Sequence, residues 1–77
     1  MTPPALIVRP AIVEFGRRVR AFRLQAKLTQ EELAGRSCMR RLFVRQVELG
    51  KSNPSLASIV LLAHGLGCEL ADLFPRK

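Results

Sequence analysis

Tryptophan and tyrosine are absent from this chain, and phenylalanine occurs only four times. A core made from such a sequence must be mostly aliphatic, and unstacked RNA bases would find few flat rings to rest on. Cysteine occurs twice, as Cys38 and Cys68, and histidine once, as His64. The cysteine separation fits no zinc motif, and His64 with Cys68 supplies too few ligands for a closed site, so no metal or other cofactor is expected. Two thiols make no disulfide framework; both are expected as buried small hydrophobes in a reducing, cytoplasmic setting. Catalytic patterns are missing as well. There is no paired-carboxylate motif, no nucleophile with a matching base and no phosphate-cradling glycine loop, which argues against an enzyme. The apolar run Ala5–Val8 is too short for a signal sequence or a membrane span. Pro3, Pro4 and Pro10 bracket it, so residues 1–10 read as an extended N-terminal arm ahead of a domain over residues 11–75.

What the chain does have is positive charge. Lysine and arginine total 13 against 6 acids, a formal net charge of +7. On a molecule this small such a field favours polyanions. Nucleic acid fits first, an anionic membrane second and an acidic protein third. The apolar fraction of 48% over 77 residues supports one compact core. A chain that spends its apolar residues on an internal core has little left for lying on a membrane.

The apolar residues recur with helical spacing throughout, and no segment alternates as a strand does. Ile12, Phe15, Val19, Phe22 and Ala26 predict a helix over about 11–26, with Pro10 in its first turn and Arg17, Arg18 and Arg20 on the wet side. Thr29 and Glu32 have the spacing of a capping box and open a short second helix. Another short helix follows over about 40–49, stopped by Gly50. Ser55 caps a fourth helix that carries Leu56, Ile59, Leu62, Ala63 and Leu66 and ends at Gly67. Glu69 to Phe74 make a last short helix. The class is all-α, and two short helices joined by about three residues have helix-turn-helix dimensions.

The third helix decides the reading. Val44 and Val47 mark its inward face, which turns Arg41, Leu42, Arg45 and Gln46 outward. Arginine and glutamine suit the edges of guanine and adenine, and leucine suits a thymine methyl. From Arg36 to Lys51, both included, there are five basic residues and one acid, Glu48. Glu48 follows Val44 by one turn and so leans inward; Arg23 follows Val19 in the same way on the first helix. A buried charge without a partner is very costly, so the two are expected to pair and fix one helix against the other.

Several spaced words now align together. They are Leu28-Thr29-Gln30-Glu31-Glu32-Leu33-Ala34, Val47-Glu48-Leu49-Gly50-Lys51, Asn53-Pro54-Ser55-Leu56, Leu66-Gly67 and Leu73-Phe74. In this order and without a gap, the stretch from Phe15 to Phe74 resembles the lambda-repressor/Cro-like, or XRE, helix-turn-helix family. The resemblance implies a compact five-helix domain whose third helix enters the major groove of duplex DNA. It implies that Gln30 touches the DNA backbone and braces Arg41, and that Arg23 and Glu48 form the family's helix-to-helix pair. Arg40 and the loop residues Lys51, Ser52 and Asn53 complete the candidate DNA contacts. The sequence departs from the family pattern at four places. Lys27 and Cys38 stand where glycine is common, Arg40 replaces a capping serine or threonine, and Leu49 replaces a polar residue. In its short length the chain is similar to restriction–modification controller proteins, small phage repressors and some antitoxins.

The fourth helix is apolar nearly all round, since Val60 and Leu61 join its core stripe. That excess predicts an interface, with Val60, Leu61, Leu70, Leu73 and Phe74 as the candidate surface of a homodimer. The sequence therefore predicts a sequence-specific regulator of transcription that binds a near-palindromic operator as a dimer. The alternative is an antitoxin-type module whose main partner is a protein, for which the apolar arm would supply the surface.

Overall fold

The computed structural model describes residues 3–74. Four α-helices follow one another, α1 (Pro3–Gln25), α2 (Gln30–Arg36), α3 (Arg41–Glu48) and α4 (Leu56–Leu66), and a 3-10 turn over Leu70–Leu73 closes the chain. The described residues contain no strand. The expected fifth helix is thus a single 3-10 turn.

Among the described residues the expected arm is helical rather than extended, and residues 1 and 2 of it lie outside them. Residues 3–10 are the first turns of α1. Pro3 and Pro4 occupy the opening turn, where backbone N–H groups have no helical acceptor and proline costs nothing. Pro10 lies inside the helix and leaves the Leu6 carbonyl without its usual donor, at a cost of about 3 kcal/mol relative to alanine. Helical register offsets this by carrying Val8 and Ile12 onto the face of Phe15 and Val19. There they look across an apolar groove of about 280 Å3 at Pro54, Ile59 and Phe74.

The core gathers one stripe from each element: Phe15 and Val19 of α1, Leu33 and Ala34 of α2, Val44 and Val47 of α3, Leu62, Ala63 and Leu66 of α4, and Leu73. It is aliphatic apart from Phe15 and the partly buried Phe22 and Phe43. Two glycines let the helices touch. A methyl group on Gly16 would run into the Val47 carbonyl of α3, and one on Gly65 into the Ser37 hydroxyl at the end of α2. Arg18, expected in water, instead reaches the closing turn. Its Nε and Nη2 donate to the Asp72 carbonyl at 3.1 and 3.0 Å.

All four α-helices end the same way. The N–H groups of Leu28, Met39, Lys51 and Cys68 each reach back five residues, to the carbonyls of Arg23, Ala34, Gln46 and Ala63, at 2.9–3.1 Å. This Schellman pattern requires a left-handed residue just before the donor. Gly50 and Gly67 supply it at φ +71° and +70°, but Lys27 and Cys38 do so at +60° and +56°. The left-handed turn also leaves Cys38 exposed, against the expectation of a buried thiol; Cys68 is half-buried, and burial pushes its thiol pKa up.

Candidate nucleic-acid interface

α3 begins at Arg41 because Arg40 is extended (φ −83°, ψ 147°), and no side chain caps the helix. Its inner side is fixed by Val44 and Val47, both essentially fully buried. That leaves Arg41, Leu42 and Arg45 on the outer side, around a shallow depression of about 120 Å3. Arg40, Arg41, Leu42 and Arg45 are all exposed, and Leu42 keeps 60% of its surface accessible. No ion pair holds any of these three arginines among the described residues. Gln46 sits half-buried at the margin of this face. In the loop that follows, Lys51 and Asn53 are exposed and Ser52 is half-buried. The candidate contacts of α3 and this loop therefore fall on neighbouring segments.

Behind that face lies a polar cluster. Arg23 Nε donates to Glu48 Oε2 at 2.6 Å and Nη2 to Oε1 at 3.0 Å, a two-pronged pair with both side chains nearly buried. Arg23 Nη1 also donates to the Leu28 carbonyl at 2.8 Å. Glu48 is the last residue of α3, where the helix dipole disfavours a negative charge. The planar guanidinium fork compensates, and it satisfies both carboxylate oxygens at once. Gln30 Nε2 donates to the same Oε1 at 3.2 Å. Its amide nitrogen is thus engaged with Glu48; bracing Arg41, as the family resemblance implies, would fall to its amide oxygen. Gln30 nevertheless opens α2 through the expected capping box: the Thr29 hydroxyl accepts from the Glu32 N–H at 3.0 Å, and the Glu32 carboxylate accepts from the Thr29 N–H at 2.8 Å. That bond holds the exposed Glu32 carboxyl below its ordinary pKa.

The candidate interface residues divide. Val60, Leu61 and Leu70 are 49%, 38% and 39% exposed and free to meet a partner. Phe74 is partly exposed and packs its ring against Phe15, with centroids 5.6 Å apart. Leu73 has no exposed surface. It faces the chain's own core because the closing turn folds back over α1 and α4, so it is removed from the candidate interface. The sequence pattern does not show Arg18 as the tie for that turn. Nor does it show the close approach at Gly16, for which a glycine within an apolar helix stripe was the available signal.

Comparisons with known proteins agree with this architecture. The chain is 34% identical over 58 residues to the immunity repressor protein of Bacillus phage phi105, covering 75% of this chain and 40% of the repressor. It is 40% identical over 57 residues to an HTH-type transcriptional regulator of Archaeoglobus fulgidus, covering 74% and 81%. The crystal structure of the restriction-modification controller protein C.AhdI from Aeromonas hydrophila matches with a TM-score of 0.80 at 43% identity, over 82% of this chain and 96% of that one. The helix-turn-helix family HTH_3 matches residues 19–73, which contain α2, α3 and the whole core apart from Phe15, and the chain belongs to that family.

Proposed function

We propose that this helix-turn-helix protein is a cytoplasmic regulator of transcription that binds a particular duplex DNA sequence. The observation that carries the reading is the outer face of α3. Two exposed arginines with no ion-pair partner among the described residues and an exposed leucine stand on a helix locked from behind by buried valines and the Arg23–Glu48 pair. A rigid helix of this kind fits the major groove and offers Arg41, Leu42, Arg45 and Gln46 to base edges. Gln30, Arg40, Lys51, Ser52 and Asn53 then lie where phosphate contacts set its register. The phage repressor and controller relatives support regulation as the outcome.

Two copies related by a twofold axis would place two α3 helices about 34 Å apart on a near-palindromic site. The exposed Val60, Leu61, Leu70 and Phe74 are the proposed contact. Selection of duplexes from a random pool tests the whole reading: a defined, near-palindromic motif is expected. Equal retention of all sequences at physiological salt would overturn it and favour a module whose main partner is a protein, for which the apolar groove between α1 and α4 is the available surface.

A further inference from the structure

Two arginines of α1, Arg9 and Arg17, flank the place where the turn after α3 packs on that helix. Gly50, which follows α3, packs directly on α1: a methyl group added there would lie 3.0 Å from Val13 Cγ2 and 3.2 Å from its Cα. Arg9 and Arg17 stand one helical turn to either side of Val13, so they share its face of α1. Together with Val13 and Glu14 they line one shallow depression. Both arginines are exposed, and neither makes an ion pair or a hydrogen bond to another side chain among the described residues. Lys51, also exposed, comes next after Gly50. A basic band therefore starts at the loop after α3 and crosses onto α1. Glu14, half-buried, is the one carboxylate in the depression.

We propose that Arg9 and Arg17 bind phosphates of the duplex outside the bases read by α3, continuing the track begun by Lys51. The exposed face of α1 thereby lengthens the footprint. Both residues precede the segment 19–73 that the family model matches; Arg17 still falls within the stretch that resembles the family, whereas Arg9 lies ahead of it. It rests on the DNA-binding reading above. Its chemistry is sequence-blind: charge-assisted bonds from guanidinium groups to backbone oxygens, with release of condensed counterions.

The test uses the selected duplex with flanks of about one helical turn on each side, and the same duplex without flanks. Arg9→Ala, Arg17→Ala and Glu14→Gln are compared with the unaltered chain across a salt series. Each arginine variant is expected to bind the flanked duplex several-fold more weakly at low salt. The slope of log K against log salt should fall by about 0.9 for each phosphate left unneutralised. The selected base motif should not change, and removing the flanks should abolish most of the difference. Glu14→Gln should shift affinity the other way. Melting curves of the free variants should match the unaltered chain, since neither arginine is paired with another side chain among the described residues. Variants with the unaltered slope and footprint would overturn this proposal while leaving a selected motif, and so the regulator reading, intact. Failure of the unaltered chain to select any duplex would overturn both.

Discussion

Lys27 and Cys38 carry the clearest residue-scale strain. Each holds a left-handed backbone to complete a helix end whose bonds are otherwise well formed. A side chain with a Cβ pays about 1–2 kcal/mol in that region, and glycine recovers most of it less its extra unfolded-state entropy. Lys27→Gly and Cys38→Gly are each expected to stabilise the fold by about 1 kcal/mol, read as a rise in Tm of roughly 4–8 °C for a domain of this size. Unchanged or lowered melting points in both would show that the turns relax around the larger residues. Arg23 and Glu48 lie at the opposite extreme, because each satisfies a buried charge on the other. Removing one partner of such a pair costs about 3–5 kcal/mol, since the second charge is stranded. Arg23→Ala or Glu48→Ala should therefore unfold much of the population in thermal scans. Wild-type melting in both would mean that water solvates the cluster. Glu32 sets an acid limit on a smaller scale. Its folded pKa lies below the ordinary 4.5, so its capping contribution is complete above that value and disappears as pH falls through the lowered one. Glu32→Gln should flatten the acid side of the stability curve below pH 4.5.

At the scale of elements, α3 is the one whose two sides do different work. Its inward valines and Glu48 position it, and its outward arginines are unpaired among the described residues. Arg41→Ala and Arg45→Ala should each cost about 1–3 kcal/mol on the best duplex and relax the preference at a defined base pair. Lys51→Ala should weaken all duplexes alike. A selected motif unaltered by Arg41→Ala would place the reading face elsewhere. Much of this was legible in the sequence, because periodicity and capping chemistry are local. Thr29 with Glu32 and Ser55 marked helix starts, and Gly50 and Gly67 marked ends. The inward positions of Val44, Val47 and Leu62 followed from spacing alone. What stayed hidden depends on who packs against whom. Three prolines looked like a broken arm, yet two fall where a helix tolerates them and the third is outweighed by a continued apolar stripe. Arg18 looked solvated, and only the fold-back of the closing turn reveals the Asp72 carbonyl as its acceptor. Gln30 was linked to Arg41 by family likeness, whereas its bond from the amide nitrogen to Glu48 depends on how α2 and α3 pack. Leu73 fell in an apolar tail that local pattern could not divide between core and surface.

The whole molecule presents more apolar surface than its own core consumes. Leu56, Val60 and Leu61 along α4 and Leu70 in the closing turn remain 38–68% exposed, although α4 already buries Leu62, Ala63 and Leu66. On a chain of net charge +7, two copies repel unless such a patch, or an anionic duplex, holds them together. A twofold contact would set each patch against its own copy and align the two α3 helices on one side of the pair. Leu61→Glu places two like charges at the centre of that contact without touching the core. It should yield monomers in sedimentation and weaken binding to a near-palindromic duplex, while binding to an isolated half-site and the helical signal stay near wild type. Leu73→Ala serves as the contrast, because Leu73 is wholly internal. It should lower the melting point through a loss of about 2–5 kcal/mol of core packing, with no specific shift in the monomer–dimer balance of the molecules that remain folded. If the unaltered chain sediments as a monomer well above its DNA dissociation constant, preformed dimers are ruled out, and the α4 patch must find its partner only on the duplex or in another protein.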